Sequence, residues 1–144
     1  MSKQTPNMLC PCHSGLKYKK CCRPLHLMQK NDDPVRLMRS RYSAYVLKNL
    51  DYIEATMHPD SKHLKDGFAK YRAGITLFAE TTDFIGLEIL DSELSLDDLN
   101  VGWVTFHAIT ANGGEDTSYI ERSLFNRVDG QWLYLHSDPF IEED

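Results

Sequence analysis

Apolar positions recur at helical spacing in the first half of the chain. The clearest case is a mainly apolar stripe formed by Val35, Met38, Tyr42, Tyr45, Val46 and Asn49. A helix is expected to begin at Pro34 with Asp33 as its cap, because a proline leaves no unpaired N–H in the first turn. A second helix is expected over residues 51–57, ending before a His-Pro pair. A third is expected over residues 66–80, broken or frayed at Gly74. The pattern therefore predicts that helices precede any sheet.

From residue 83 onward the period changes to 2, in segments rich in aromatic and β-branched residues. Four strands are expected, over residues 83–94, 101–110, 117–128 and 131–137, with turn-forming sequences between them. The last of these turns, Asp-Gly, is a strong hairpin signal. Helices followed by an antiparallel meander predict an α+β fold, with the helices on one face of the sheet.

The composition is that of a globular protein. The chain has 144 residues, 42% hydrophobic and 26% charged, which is enough for one domain with its own core. Its apolar runs are far too short to cross a bilayer, and the polar start, MSKQTPNML, lacks the pattern of a secretory signal. We therefore expect no membrane span and a cytoplasmic location, where thiols stay reduced.

Charge is distributed unevenly along the chain, whose net charge is −5. Residues 1–30 contain six basic and no acidic side chains, whereas the remaining residues contain ten basic and 21 acidic ones. A basic segment of this kind favours an anionic partner, such as an acidic protein surface, RNA or phospholipid. The alternative interpretation is that the lysines only neutralise nearby thiolates.

All the cysteines lie in one short stretch, CPCHSGLKYKKCC. They are Cys10, Cys12, Cys21 and Cys22. A turn at Gly15 and a helical turn begun by LKYKK would bring the two cysteine pairs to one centre. Four sulfurs around a tetrahedral ion form a closed structural zinc site, although such a set also accepts iron. A disulfide is the alternative, disfavoured by the adjacent cysteines and by a reducing compartment. Because residues 8–24 are too short for a core of their own, they are expected to depend on the ion.

This stretch resembles the SEC-C metal-binding motif, C-x-C-x8-C-[CH]. That motif is found at the C-terminus of the preprotein translocase ATPase and in several small bacterial proteins. The match includes both cysteine pairs, the Ser-Gly turn and the lysine-rich segment. His13 departs from the pattern, which usually has glycine there, so a positive φ would be adopted at some strain. His13 is not expected to be a ligand, because four cysteines already close the shell.

Two longer stretches, LMRSRYSAYVLKNLDYIEATMHP and IERSLFNRVDGQWLYL, are similar to the YchJ-like family of uncharacterised bacterial proteins. The resemblance spans nearly the whole chain. It implies a SEC-C motif and linker over residues 1–30. It also implies a cone-shaped α+β domain of the nuclear-transport-factor-2-like (SnoaL-like) superfamily over residues 31–144. It brings no established reaction.

Domains of that superfamily often enclose a pocket between the sheet and the helices. Strand alternation suggests a set of aromatic and polar side chains that would line it. These candidate pocket residues are Trp103, His107, Tyr119, Glu121, Ser123, Trp132, Tyr134 and His136. The alternative is that this face is half-exposed or a dimer contact, while the aliphatic face packs on the helices. Glu121, His107 and His136 could transfer protons, but no spacing shows that they meet, so no catalysis is expected.

A carboxylate in the middle of a strand is costly unless it is solvated or paired. Glu121 lies in such a position, and Arg39 and Arg41 flank the apolar stripe of the first long helix. We therefore expect one of these arginines to form a bidentate ion pair with Glu121 where helix and sheet meet.

Two functions follow from these features. The preferred hypothesis is a non-catalytic interaction protein, whose basic metal-binding head contacts a component of protein export, a chaperone or the ribosome. No specific nucleic acid is expected as a partner, and the oligomeric state is not predicted. The alternative is a small-molecule-binding or isomerase-like enzyme that uses the pocket, with the metal motif as a structural appendage.

Overall fold

The computed structural model describes residues 7–139, so the ends of both expected segments, residues 1–6 and 140–144, lie outside the described part. The helices are α1 (Arg23–His26), α2 (Pro34–Val46), α3 (Leu50–Ala55) and α4 (Phe68–Thr81), with 3₁₀ turns at Tyr18–Lys20 and Lys62–Leu64. The strands are β1 (Asp83–Leu94), β2 (Val101–Asn112), β3 (Glu115–Asp116), β4 (Tyr119–Val128) and β5 (Gln131–Pro139). The predicted α+β architecture is confirmed.

Helix α2 begins as predicted and is the central helix of the molecule. The carboxylate of Asp33 accepts a hydrogen bond from the backbone N–H of Val35 at 2.9 Å, and Pro34 is the first helical residue. Ser40 and Ser43 are fully buried although they lie away from the predicted apolar stripe. They are buried because His26, which follows the cysteines, and Tyr52 of α3 cover this face of α2.

Helix α4 runs without a break through Gly74, so the expected break there is wrong. An isolated glycine costs a helix about 1 kcal/mol relative to alanine. Burial of Ile75 and Ala79 in the common core outweighs that cost. Within residues 7–139, no helix has both the length and the apolarity needed to cross a membrane.

The sheet is antiparallel, in the order β1-β2-β4-β5, with the short strand β3 paired to β2. Strand β3 falls in the segment ANGGED, which the sequence pattern indicated as a turn. The Asp-Gly hairpin is confirmed, because Asp129 and Gly130 both have positive φ, 52° and 79°, as this two-residue turn requires. Register shifts in β1 and between β4 and β5 mark bulges, which bend the strands.

One continuous core joins the N-terminal segment to the sheet. Its largest fully buried side chains are Trp132 and Phe125. Three of the four cysteines belong to the same buried cluster, together with Tyr18 and Leu25. The linker is fixed to β5 by Asn31, whose side-chain oxygen accepts a hydrogen bond from the backbone N–H of Trp132 at 2.9 Å. The N-terminal segment therefore packs on the domain instead of extending from it.

Candidate metal centre and domain cavity

The N-terminal cysteine-containing segment, residues 7–26 and here called the head, folds back on itself as a short loop. Two backbone hydrogen bonds close it, from Cys10 to the carbonyl of Leu16 at 2.8 Å and from Tyr18 to the carbonyl of Met8 at 2.9 Å. The return of the chain uses positive φ at Gly15, as expected from its freedom to adopt that conformation.

The 3₁₀ turn at Tyr18–Lys20 then presents the second cysteine pair to the first. Cys21 follows this turn directly, and Cys22 is the residue before helix α1. The Cys12 and Cys21 sulfurs are 3.5 Å apart, and the Cys21 and Cys22 sulfurs are 3.9 Å apart. All four sulfurs lie within 4.8 Å of one another, and all four thiols are free. The predicted convergence of both pairs is confirmed.

This arrangement fits a tetrahedral ion. With metal–sulfur distances of about 2.3 Å, the sulfurs of a Cys₄ zinc site are separated by about 3.8 Å, close to the distances found here. Cys10, Cys12 and Cys22 are buried, and Cys21 is partly buried. The sulfurs therefore form a nearly closed cluster that faces the protein interior.

The electrostatics of the cluster also favour a cation. The neighbouring thiols of Cys10 and Cys22 donate hydrogen bonds that depress the pKa of Cys12 far below its usual range. In return, the hydrogen bond with Cys12 raises the pKa of Cys10 to about 12. Hydrogen bonds with Cys10 and with Cys12 also raise the pKa of Cys22. One thiolate is thus stabilised at the expense of its neighbours. A bound cation removes this conflict and allows all four to ionise.

Side chains of α2 and of the head itself contact the cluster and its backbone. The guanidinium of Arg39 donates a hydrogen bond to the carbonyl of Cys12 at 3.0 Å, and Arg36 donates one to the carbonyl of Cys21 at 3.4 Å. The hydroxyl of Ser14 is 3.1 Å from the Cys21 sulfur. His26 lies between the hydroxyl of Tyr18, 2.6 Å from Nδ1, and the backbone oxygen of Ser40, 2.8 Å from Nε2. These contacts fix the head on the domain.

The outer surface of the head combines apolar and basic side chains. Four large apolar side chains are 56–69% exposed. Leu9 and Leu16 lie in the head, and Leu27 and Met28 follow α1 directly. The exposed basic residues of the head are Lys17, Lys19, Lys20 and Arg23. Within residues 7–139, none of these four cations forms a salt bridge. The head thus presents free positive charge beside exposed apolar surface.

The predicted ion pair between Glu121 and an α2 arginine is wrong. Arg41 donates hydrogen bonds to the carbonyl of Ile53 at 2.9 Å and to the hydroxyl of Thr56 at 2.6 Å, while Arg39 bonds to the head. The prediction failed because residues beyond the sheet, in the head and at the end of α3, supply the acceptors.

A cavity of about 240 Å³ lies between α2, α4 and the sheet. Among the predicted pocket residues, four line it: Tyr119, Glu121, Ser123 and Tyr134. The sequence pattern missed the residues that the helices and β1 contribute, above all Arg41, Tyr45, Ile75 and Phe84. For the helical residues among them, the sequence offered only one signal, namely that the apolar stripe of α2 also contains tyrosines.

The other four predicted residues do not line this cavity, and strand register explains why. Trp103 and His107 pair with Leu124 and Ile120, so they lie on the opposite face of the sheet from Glu121. His136 pairs with Leu124 and lies on that same outer face. A register shift between β4 and β5 separates it from the inward-facing positions of β5. Trp132, the second residue of β5, is buried in the core and only 1% exposed. The three candidate proton-transfer groups are thus not brought together.

Comparison with known proteins gives two family matches. Residues 33–137 match the family described as "YchJ, middle NTF2-like domain", and residues 7–24 match the SEC-C motif.

Solved structures agree with these matches. The chain is similar to a SEC-C motif-containing protein from Rhodopseudomonas palustris, with 34% identity, 92% of this chain and 98% of that chain covered, and a TM-score of 0.78. It is also similar to a SEC-C motif-containing protein from Psychrobacter arcticus, with 26% identity, coverage of 96% and 86%, and a TM-score of 0.76.

A more distant likeness concerns the fold alone. A calcium/calmodulin-dependent protein kinase type II association domain from Thiobacillus denitrificans is 14% identical, with coverage of 78% of this chain and 99% of that chain and a TM-score of 0.57.

Proposed function

Because the chain belongs to the YchJ family, as a SEC-C motif joined to an NTF2-like domain, we propose that it is a non-catalytic zinc protein that binds another protein through its head. One observation carries this proposal. The four sulfurs lie within 4.8 Å of one another against α2, while the other side of the head exposes unpaired basic and apolar side chains.

Zinc is the ion that best suits the cluster. Cys10, Cys12, Cys21 and Cys22 would hold it, and four thiolates leave no coordination position for a substrate. The bound ion would supply a cross-link between the two halves of the head and compensate the charge of the thiolates. Reduced thiols acting as ligands also support a cytoplasmic location.

The surface of the head indicates the kind of partner. Free lysines beside exposed leucines suit a protein surface that is acidic and partly apolar. The proposal that this protein belongs to the export machinery, the chaperones or the ribosome rests on the resemblance to other SEC-C proteins. The separation of Glu121 from the two candidate histidines, on opposite faces of the sheet, supports a role without catalysis.

Capture of partners from a cell extract tests the proposal. The zinc-loaded chain is compared with a variant in which Lys17, Lys19 and Lys20 are all changed to glutamate, which leaves the cysteines in place. A matched control carries glutamate at Lys48, Lys62 and Lys65, exposed lysines of the domain. We expect a specific protein to be recovered by the wild type and the control and lost from the head variant. Equal recovery by all three would overturn the proposal.

A further inference from the structure

The cavity between α2, α4 and the sheet is large enough for a small organic molecule. Its volume is about 240 Å³, whereas a cavity of roughly 150 Å³ is enough to hold a benzene ring and drug-sized ligands use about 300–1,000 Å³. The space therefore suits a ligand with one ring or an equivalent apolar group.

Aromatic side chains form most of its wall. They include Tyr42, Tyr45, Phe84, Phe106, Tyr119 and Phe125. The rings of Tyr42 and Phe84 meet edge to face at 5.6 Å, and those of Phe106 and Tyr119 at 6.1 Å, so the wall is ordered by mutual packing. Such a wall favours an apolar or aromatic group.

One buried cation faces the same cavity. Arg41 is only 6% exposed, and its guanidinium carbon lies 4.4 Å from the ring centroid of Tyr134. Within residues 7–139, no carboxylate lies within 4.0 Å of it. A buried charge is usually paired, because removing it from water is costly.

Neutral groups satisfy only part of this guanidinium. Both N–H groups of Nη1 are accounted for by the carbonyl of Ile53 and the hydroxyl of Thr56, and Nη2 contacts only the weakly accepting sulfur of Met57, at 3.4 Å. The N–H of Nε and the second N–H of Nη2 have no acceptor in the described part of the chain. Two such donors on one guanidinium can grip a carboxylate in bidentate fashion.

The sheet side of the cavity carries groups that tolerate an anion. The hydroxyls of Ser123 and Ser137 lie 2.7 Å apart, and that of Tyr134 is 2.8 Å from Ser137. Burial raises the pKa of Glu121, an effect that the Ser137 hydroxyl partly offsets, so this carboxyl takes up a proton beside an anion more readily than an exposed one would. A cationic ligand would instead meet the uncompensated charge of Arg41.

We propose that this cavity binds a small organic acid, whose carboxylate pairs with Arg41 and whose apolar or aromatic part lies among the rings. This site is separate from the metal-binding head and goes beyond the proposed interaction with a protein. It requires no reaction.

Calorimetric titration of the zinc-loaded chain with three single-ring probes tests the proposal. Phenylacetate carries the carboxylate, phenylacetamide is its neutral counterpart, and phenethylamine carries a positive charge. We expect phenylacetate to bind at least about tenfold more tightly than either of the others. Equal binding of the acid and the amide, tighter binding of the amine, or no binding of the acid would overturn the proposal.

Variants locate the site. Arg41→Met is expected to abolish the preference for the acid over the amide, whereas Arg36→Met, an exposed arginine of the same helix outside the cavity, retains it. Glu121→Gln is expected to bind phenylacetate at least as tightly as the wild type, because a carboxyl group is replaced by a neutral amide. Unchanged preference in the Arg41 variant, or weaker binding after Glu121→Gln, would contradict the assignment.

Because Arg41 also holds the end of α3, a second variant guards against loss of folding. A Cβ at Gly74, which lines the cavity, would meet no atom within 4 Å, so the first carbon of a leucine side chain enters the cavity wall at this position without a clash. Leucine also favours the helix. We expect this variant to melt no lower than the wild type and to bind phenylacetate at least about tenfold more weakly. Undiminished binding would place the ligand elsewhere and overturn the proposal.

Discussion

The guanidinium of Arg39 donates a hydrogen bond to the backbone oxygen of Cys12 at 3.0 Å, and the same nitrogen lies 3.9 Å from the Cys12 sulfur. This contact joins the central helix of the domain to the second cysteine of the head. Cys12 is also the thiol whose pKa is depressed within the cluster, chiefly by hydrogen bonds from Cys10 and Cys22. The domain therefore places a positive charge beside the sulfur that most readily carries a negative one.

Replacing Arg39 with methionine should weaken the retention of the metal. The change removes a cation and a hydrogen bond next to a ligand but keeps an apolar stem of similar length. Loss of such supporting groups typically lowers metal affinity by about 10–100-fold. Competition with a chromogenic chelator measures the effect. Arg36→Met is the matched control, because its contact with Cys21 is longer, 3.4 Å, and exposed. Equal metal retention by both variants would contradict this role of Arg39.

Replacing His13 with glycine should stabilise the zinc-loaded protein. His13 has φ of 63°, in the left-handed region, which costs an L residue roughly 1–2 kcal/mol. Glycine avoids this strain but loses the edge-to-face contact with Tyr42, at 5.9 Å, and gains entropy on unfolding. We expect a net increase of up to about 1 kcal/mol in the free energy of unfolding. His13→Ala keeps the strain and loses the ring, so an alanine variant as stable as the glycine variant would refute the explanation.

Glu121→Gln should raise stability at neutral pH, with a gain that depends on pH. Burial raises the pKa of Glu121 above its ordinary value of 4.5, so the folded state holds this proton more tightly than the unfolded state. The wild type therefore loses stability as the pH rises from about 4.5 through the folded pKa, and the glutamine variant does not. Thermal melting of both proteins between pH 4.5 and 7.5 checks this. A difference in Tm that does not change with pH would show that the carboxyl is not responsible.

Much of the fold could be predicted from single segments of the sequence. The cap at Asp33, the four long strands and the Asp-Gly hairpin depend on local preferences, and all three agree with the structure. The convergence of the cysteines was predictable for the same reason, since the turns between the two pairs lie within the motif.

The cavity required information that no single strand contains. Alternation divides each strand into two faces, but only the register with the neighbouring strand decides which faces coincide. Trp103 and His107 were assigned to the wrong face for this reason, and His136 was misplaced by a bulge. Arg41 was likewise unpredictable, because its acceptor, the carbonyl of Ile53, lies in another helix.

The metal content of the freshly purified chain tests the central claim most directly, because the head is proposed to hold one ion with its four thiolates. Native mass spectrometry, on protein prepared without chelator or added metal, should show one zinc ion per chain. The variant with serine at Cys10, Cys12, Cys21 and Cys22 should show none. A wild-type chain without metal, a disulfide between these cysteines, or equal metal content in the serine variant would contradict the account.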